Sequence, residues 1–177
     1  MQLLSLNTLT LSPDGTPAPR RQPAADARSV ERYGIEDEPP AATPACALFA
    51  YPFEHYPLWQ TLRAQARAAE WGEALPYGAL GEALTLQGLL EAQACVGDVL
   101  VFDSGCELAV SEPHLPSPTL DAALGFKHAA RMMWQSGLCG FHLGVRIGGT
   151  LRSGDRFTLR PGPREVNIAD LFRARRG

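Results

Sequence analysis

Residues 97–110 give the clearest indication of the fold, and they read GDVLVFDSGCELAV. Val99 to Phe102 form one apolar run, and Cys106 to Val110 form a second. The three residues between them, Asp103-Ser104-Gly105, are typical of a turn. The segment therefore predicts a β-hairpin with a three-residue loop.

Further short strands are predicted on both sides of this hairpin. Residues 45–50 are apolar, as in a buried strand. Apolar residues alternate over 141–147, which predicts a half-buried strand that turns at Gly148-Gly149 and pairs with 157–160. Roughly six to eight strands without strand-helix alternation favour a mainly-β fold, a closed or partly closed β-barrel with peripheral helices.

Two or three helices are expected around the strands. Residues 127–135 read as a short helix capped by Gly137, and Asn167 followed by Asp170 indicates a final helical turn or two. The longest predicted helix covers 57–72, where an amphipathic stripe is formed by Leu58, Leu62, Ala66 and Ala69.

The N-terminal quarter of the chain is harder to interpret. Residues 2–11 are rich in Leu and Thr and predict an opening strand, followed by a turn at Ser12-Pro13-Asp14-Gly15. The Pro-rich stretch over about 13–44 is expected to be extended loop with at most one short strand, because proline disrupts helices and central strands. We expect residues 1–177 to form a single domain.

The composition narrows the class of protein. Of the 177 residues, 45% are hydrophobic and 20% are charged, which is typical of a globular protein. A net charge of −3 provides no basic field for nucleic acid or an anionic membrane surface, and no run of about 18 apolar residues is present. Four cysteines without a CxxC pair, and an N-terminus without signal-peptide features, predict reduced thiols in a cytoplasmic protein.

Residues 112–120, EPHLPSPTL, contain the most chemistry per residue. Three prolines stiffen a loop that carries His114 and Ser117, and rigid loops often carry functional sites. One interpretation is a nucleophile-base pair, although no orienting group or nucleophile elbow is visible. The other is a strand-to-helix turn in which Ser117 is the cap and Pro118 the first helical residue.

Other polar residues have structural explanations as well as functional ones. Cys139 and His142 are spaced like half of a metal site, yet on a strand they would face opposite sides. His55, at a helix entrance, is expected to be a surface or capping histidine rather than a general base. Residues 132–134, Met-Met-Trp, are expected to pack in the core.

Several motifs follow one another in a recognisable order along nearly the whole chain, with the weakest stretch between about 13 and 43. They are Tyr51-Pro52, Glu54-His55-Tyr56, Trp59, residues 75–85 (LPYGALGEALT), Gly88-Leu89-Leu90, Val96-Gly97-Asp98-Val99, Val110-Ser111-Glu112-Pro113, Pro116, Ser136-Gly137, Gly140-Phe141 and Gly154-Asp155. The series resembles the MOSC domain, named for the C-terminal part of molybdenum cofactor sulfurases, in its free-standing bacterial form.

This resemblance implies a β-barrel-like fold and a molybdenum-pterin cofactor that serves sulfur transfer or the reduction of N-hydroxylated compounds. The family's Pro-Arg-x-Pro-Cys-x-Lys-Leu loop corresponds to residues 113–120, so the cysteine position falls on Ser117, the arginine on His114 and the lysine on Thr119. A serine hydroxyl suits a soft metal poorly and cannot form a persulfide. Ser117 would be a metal ligand only if molybdenum is retained. In that case Ser117 and His114 are the catalytic candidates, with His114 as acid or anion contact.

Two further family motifs are altered. The triplet Gly-Glu-Asn appears as Gly81-Glu82-Ala83, which keeps an acceptor for a pterin but loses the amide. The anion-gripping run corresponds to 41–46, where Cys46 occupies the arginine position and is expected to be a buried small hydrophobe. The loss of these donors is expected to weaken the binding of an anionic pterin by roughly 1.5–3 kcal/mol for each charge-assisted hydrogen bond. Gly81, Glu82, His114 and Thr119 remain as cofactor-binding candidates, and a protonated His114 could restore one contact.

Three functional hypotheses stay open. The first is a divergent MOSC protein that binds the cofactor weakly or holds another small molecule in the same cleft. The second is a non-catalytic ligand-binding or protein-interaction module, because a fold can be kept after the residues of its original site have changed. The third is hydrolysis by Ser117 and His114.

Overall fold

The computed structural model describes residues 1–11 and 17–176, so the turn predicted at 12–15 lies outside the described residues. The fold is mainly β, as predicted. Its strands are β1 (Gln2–Leu11), β2 (Pro17–Pro23), β3 (Arg28–Glu31), β4 (Gly34–Ile35), β5 (Leu48–Pro52), β6 (Leu84–Gln87), β7 (Val99–Phe102), β8 (Glu107–Pro113), β9 (Phe141–Ile147), β10 (Gly149–Leu151) and β11 (Phe157–Arg160). Its helices are α1 (Tyr56–Gln65), α2 (Thr119–Leu124), α3 (Ala129–Ser136) and α4 (Ile168–Arg176).

Eight strands form one sheet in the order β11-β7-β8-β9-β5-β6-β1-β2, and β10, β3 and β4 form a second. The hairpin predicted over 97–110 is confirmed, because β7 and β8 pair antiparallel with Leu100 opposite Leu108. The larger sheet is not closed into a barrel. Two hydrogen bonds nevertheless join the start of β1 to the chain before β11, from Leu3 N to Asp155 O at 2.8 Å and from Gly154 N to Leu3 O at 2.7 Å.

The predicted pairing of 157–160 with 141–147 is wrong. Strand β11 pairs with β7, with Phe157 opposite Phe102, whereas β9 pairs with β8 on one edge and β5 on the other. Both edges of β9 are therefore occupied. Gly149 begins β10, which pairs with β3.

The Pro-rich N-terminal stretch contains more structure than expected. Three strands, β2, β3 and β4, fall within 17–35 instead of the single short strand predicted. Strand β2 lies at the edge of the larger sheet, where a residue without a backbone N–H is tolerated.

Four helices are present in the described residues, one more than the upper prediction. Helix α1 ends at Gln65, short of the expected Gly72, and Arg67 has a positive φ of 59°. Helix α3 begins at Ala129 and ends at a left-handed Gly137, close to the prediction. No helix among the described residues has both the length and the apolar character needed to span a membrane.

The core lies between the sheet and the helices. Its largest fully buried side chains are Trp59, Tyr51, Tyr56, Phe141, Phe157 and Phe172. The indole N–H of Trp59 donates to the Tyr51 hydroxyl at 2.7 Å, and this hydroxyl donates to Leu138 O at 2.8 Å, so the polar ends of both buried aromatics are hydrogen-bonded. Of the Met-Met-Trp run, Met133 is buried and Trp134 stacks on Phe172, whereas Met132 is exposed.

Candidate functional site

A cavity of about 430 Å³ lies between β5, the loop before β6, and the loop that joins β8 to α2. Four predicted site residues meet there: Gly81, His114, Ser117 and Thr119. The rest of the lining is apolar and consists of Phe49, Ala79, Leu80, Leu120, Ala122 and Ala123. Among the residues that the structure describes, the lining contains no Lys, Arg, Asp or Glu.

The loop 114–118 is anchored at both ends. The His114 N–H donates to Gly140 O at 3.2 Å, and the Leu120 N–H donates to Ser117 O at 3.0 Å. Two of the five loop residues are prolines, whose fixed φ removes conformational freedom. The loop therefore presents its polar side chains to the cavity in a defined arrangement.

Ser117 and Thr119 form a hydroxyl pair at the mouth of the cavity. Their Oγ and Oγ1 atoms lie 2.5 Å apart and share a hydrogen bond. Helix α2 begins at Thr119 with Pro118 at the cap position and no side-chain capping bond, so the predicted capping role of Ser117 is wrong. No hydrogen bond joins Ser117 to His114 among the described residues, so the structure does not assemble the alternative of a nucleophile-base pair.

The His114 ring packs against the rings of Phe49 and His142, which also contact each other. It stacks on Phe49 with 4.0 Å between the ring centroids, and its Nδ1 lies 3.2 Å from Nε2 of His142. Burial, together with the neighbouring His142, lowers the pKa of His114 to about 4. The imidazole is therefore neutral at physiological pH. It does not supply the positive charge with which a protonated His114 could have contacted an anionic pterin.

Behind His142, a polar cluster connects the sheet to the C-terminal helix. Glu112 lies opposite His142 on the neighbouring strand, accepts the Cys46 S–H at 2.9 Å and receives Arg175 at 2.8 Å. These two donors hold the pKa of Glu112 below its usual range, whereas burial and Glu112 raise that of the Cys46 thiol. Cys46 is half-buried and hydrogen-bonded, so the prediction of a buried hydrophobe is wrong.

Glu82 does not line the cavity. Its fully buried carboxyl group accepts hydrogen bonds from Gly78 N at 2.9 Å, Leu80 N at 3.1 Å and Thr85 Oγ1 at 2.9 Å, and from the Tyr56 hydroxyl. Burial raises its pKa against the opposing effect of these donors. The group organises the loop that carries Gly81, and a ligand could reach it only if that loop opened.

A second buried carboxylate, Glu91, supports the opposite side of the site. It lies 2.8 Å from Nε2 of His55 and accepts the Gly140 N–H at 2.7 Å. His55 is 9% exposed and makes no capping bond, so it is neither the surface nor the capping histidine that was predicted. Gly140 in turn accepts the His114 N–H, so this pair stabilises the cavity loop indirectly.

Sequence reasoning missed the aromatic and histidine partners of the site. Phe49 on β5 and His142 on β9 are register partners, which places both beside His114. The alternation over 141–147 put His142 on the polar face of its strand, and this was the available signal. Cys139 lies before β9 and donates to Gly140 O, and the described residues contain no group of three or more potential metal ligands.

The fold and cavity define a mainly-β protein with an open cavity between two loops and the sheet, and comparison with known proteins identifies its class. The sequence model of the MOSC domain matches residues 37–158. The uncharacterized protein YflK of Bacillus subtilis is 31% identical over 144 residues, which are 78% of this chain. The chain belongs to the MOSC domain family, and it spans 61% of the length of that relative.

Solved structures agree at the level of the fold. The crystal structure of YiiM from Geobacillus stearothermophilus superposes with a TM-score of 0.81 at 24% identity, covering 99% of this chain and 83% of that protein. YiiM from Escherichia coli gives a TM-score of 0.72 at 20% identity, covering 97% of this chain and 76% of that protein.

Proposed function

We propose that this MOSC protein binds a small, uncharged molecule in the cavity lined by His114, Ser117 and Thr119, without the molybdenum-pterin cofactor of its family. The observation that carries the proposal is the chemistry of the lining, which combines apolar walls with a few neutral polar groups. The cavity volume of about 430 Å³ lies within the range of small-molecule sites.

The molybdenum-pterin cofactor does not fit this donor set. Its phosphate needs cationic or paired donors, and the described lining offers a neutral imidazole and two hydroxyls. Ser117 stands at the position where the family resemblance expects a thiolate, and its hydroxyl is bonded to Thr119. A soft metal prefers thiolate ligands to a neutral hydroxyl. The lining therefore supports ligand binding but not cofactor chemistry.

The supports of the cavity also favour a binding site. Glu82 and Glu91 are buried, and both hold backbone N–H groups of segments that flank the cavity. A site whose loops are fixed in this way loses little conformational freedom when it binds a ligand, which favours affinity.

The experiment that tests the proposal is mass spectrometry of small molecules released by heat from the purified protein. Ala122→Trp fills the cavity from an exposed helix position that lines it, and Ala174→Trp adds the same side chain to an exposed position on α4. A compound that co-purifies with the wild type and Ala174→Trp but not with Ala122→Trp supports the proposal. A compound retained equally by all three would place the ligand elsewhere and contradict it.

A further inference from the structure

The two histidines beside the cavity face each other through one nitrogen each, and one of these nitrogens must donate a hydrogen to the other. Nδ1 of His114 and Nε2 of His142 are 3.2 Å apart, and burial lowers the pKa of both rings, so both are neutral at physiological pH. A neutral imidazole carries its hydrogen on one nitrogen only. Either His114 donates through Nδ1 and His142 accepts, or His142 donates through Nε2 and His114 accepts.

The remaining nitrogen of His142 decides between these arrangements. Its Nδ1 is buried and has no hydrogen-bond partner among the described residues. If His114 were the donor, this Nδ1 would carry an unpaired buried N–H, which is rarer and costlier than an unpaired lone pair. Glu112, opposite His142 on the neighbouring strand, does not remove that cost, because neither of its oxygens is hydrogen-bonded to this Nδ1 among the described residues. The favoured donor is therefore Nε2–H of His142.

This arrangement fixes the hydrogen of His114 as well. Because its Nδ1 accepts from His142, the hydrogen must be on Nε2, the ring nitrogen that remains for a ligand. His114 lines the cavity, and its Nε2 is not among the buried unpaired nitrogens of the described residues.

We propose that the cavity selects uncharged small molecules with an acceptor oxygen, such as a ketone carbonyl, which Nε2–H of His114 binds. His142 is the positioning residue that fixes the tautomer. This inference rests on the proposed function and adds the class of ligand to it. The Ser117–Thr119 pair can donate one more hydrogen, because one of its two hydroxyl hydrogens is used within the pair.

The first test is NMR of the ¹⁵N-labelled histidine rings. We expect the Nε2–H tautomer for both His114 and His142. In His142→Phe, which removes the donor, His114 should become a mixture of tautomers. In His142→Gln, whose side-chain amide can donate, Nε2–H of His114 should be restored. A predominant Nδ1–H tautomer of His114 in the wild type would overturn the inference.

The second test measures binding of three probes by chemical shifts of the cavity residues: acetophenone, ethylbenzene and benzoate. Wild-type protein should bind acetophenone roughly 2- to 10-fold more tightly than ethylbenzene, the gain expected from one hydrogen bond, and benzoate weakest. His142→Phe should lose this preference and His142→Gln should keep it. Equal or stronger binding of ethylbenzene or benzoate would refute the ligand class while leaving the cavity a binding site. Binding of none of the three would contradict the proposed function itself.

Discussion

Glu82 and His114 differ in how completely their polar atoms are hydrogen-bonded. His114 lines the cavity, whereas Glu82 only adjoins it through the lining residue Gly81. The Glu82 carboxyl group is fully buried and accepts hydrogen bonds from two backbone N–H groups and two hydroxyls. His114 is half-buried and lines the cavity, and one of its ring nitrogens pairs with His142. The Glu82 carboxyl group therefore stabilises the fold, whereas the His114 imidazole forms part of the cavity lining.

This difference indicates how a MOSC scaffold can change its ligand. The groups that shape the loops lie behind the surface, where substitution would leave buried donors unpaired. The polar side chains that line the cavity are exposed or half-buried, so their substitution should cost little stability.

The largest expected effect follows removal of the Glu82 carboxyl group. Glu82→Ala leaves Gly78 N, Leu80 N and the hydroxyls of Tyr56 and Thr85 without their acceptor, and should lower the free energy of unfolding by about 3–5 kcal/mol. Urea denaturation measures this change, with the exposed Glu165→Gln as the control. Near-wild-type stability with lost ligand binding would place Glu82 in the site instead of the fold.

Two glycines near the cavity differ in how much space the surrounding atoms leave for a Cβ. Both have positive φ, 68° at Gly140 and 89° at Gly81, but a Cβ at Gly140 would lie 2.6 Å from Ala50 O, whereas one at Gly81 meets nothing within 4 Å. Gly140→Ala should destabilise the protein by about 2–4 kcal/mol and Gly81→Ala by about 1 kcal/mol. Thermal unfolding of the two variants provides the comparison, and equal losses would refute the difference in packing.

The pH dependence of stability should reveal the neutral histidine. Because the pKa of His114 is lowered to about 4, its contribution is fully present above the unfolded value near 6.5 and is lost as the pH falls from about 6.5 to about 4. That contribution is at most roughly 3 kcal/mol. His114→Gln should flatten this part of the stability profile, whereas His128→Asn, which removes an exposed histidine, should not. An unchanged slope in His114→Gln would mean that folding does not lower the pKa of this ring.

The smallest expected effect on stability is at the hydroxyl pair. Ser117 and Thr119 are exposed, so Ser117→Ala and Thr119→Val should each change the free energy of unfolding by less than about 0.5 kcal/mol. The two substitutions should instead weaken the binding of acetophenone. NMR titration measures this binding, and unfolding curves of the same variants measure their stability. A loss of stability without a loss of binding would assign the pair to the fold.

The sequence alone predicted the mainly-β class, the hairpin over 97–110 and the ends of α3, because period-two alternation and glycine caps are local signals. It could not predict that β11 pairs with β7, because the strand order depends on which edges remain free once all the strands are in place. The loop containing His114, Ser117 and Thr119 was also located from local features, its prolines and polar residues.

The separation of Glu82 from the cavity could not be read from the sequence. Glu82 follows directly on Gly81, yet one residue faces the cavity and the other faces the core. The pairing of His142 with His114 joins residues 28 positions apart through the register of β8 and β9. Such contacts depend on tertiary packing, and so does the neutral state of His114.

The central claim is tested most directly by measuring molybdenum and pterin per chain in protein purified from a host that makes the cofactor. We expect neither molybdenum nor pterin in stoichiometric amount in the wild type. The double variant Ser117→Cys with Thr119→Lys restores a thiolate and a cation and should carry more than the wild type. Ser104→Cys adds a thiol at an exposed turn and should carry none. Stoichiometric molybdenum and pterin in the wild type would contradict the proposed function and show that the neutral lining holds the cofactor of the family.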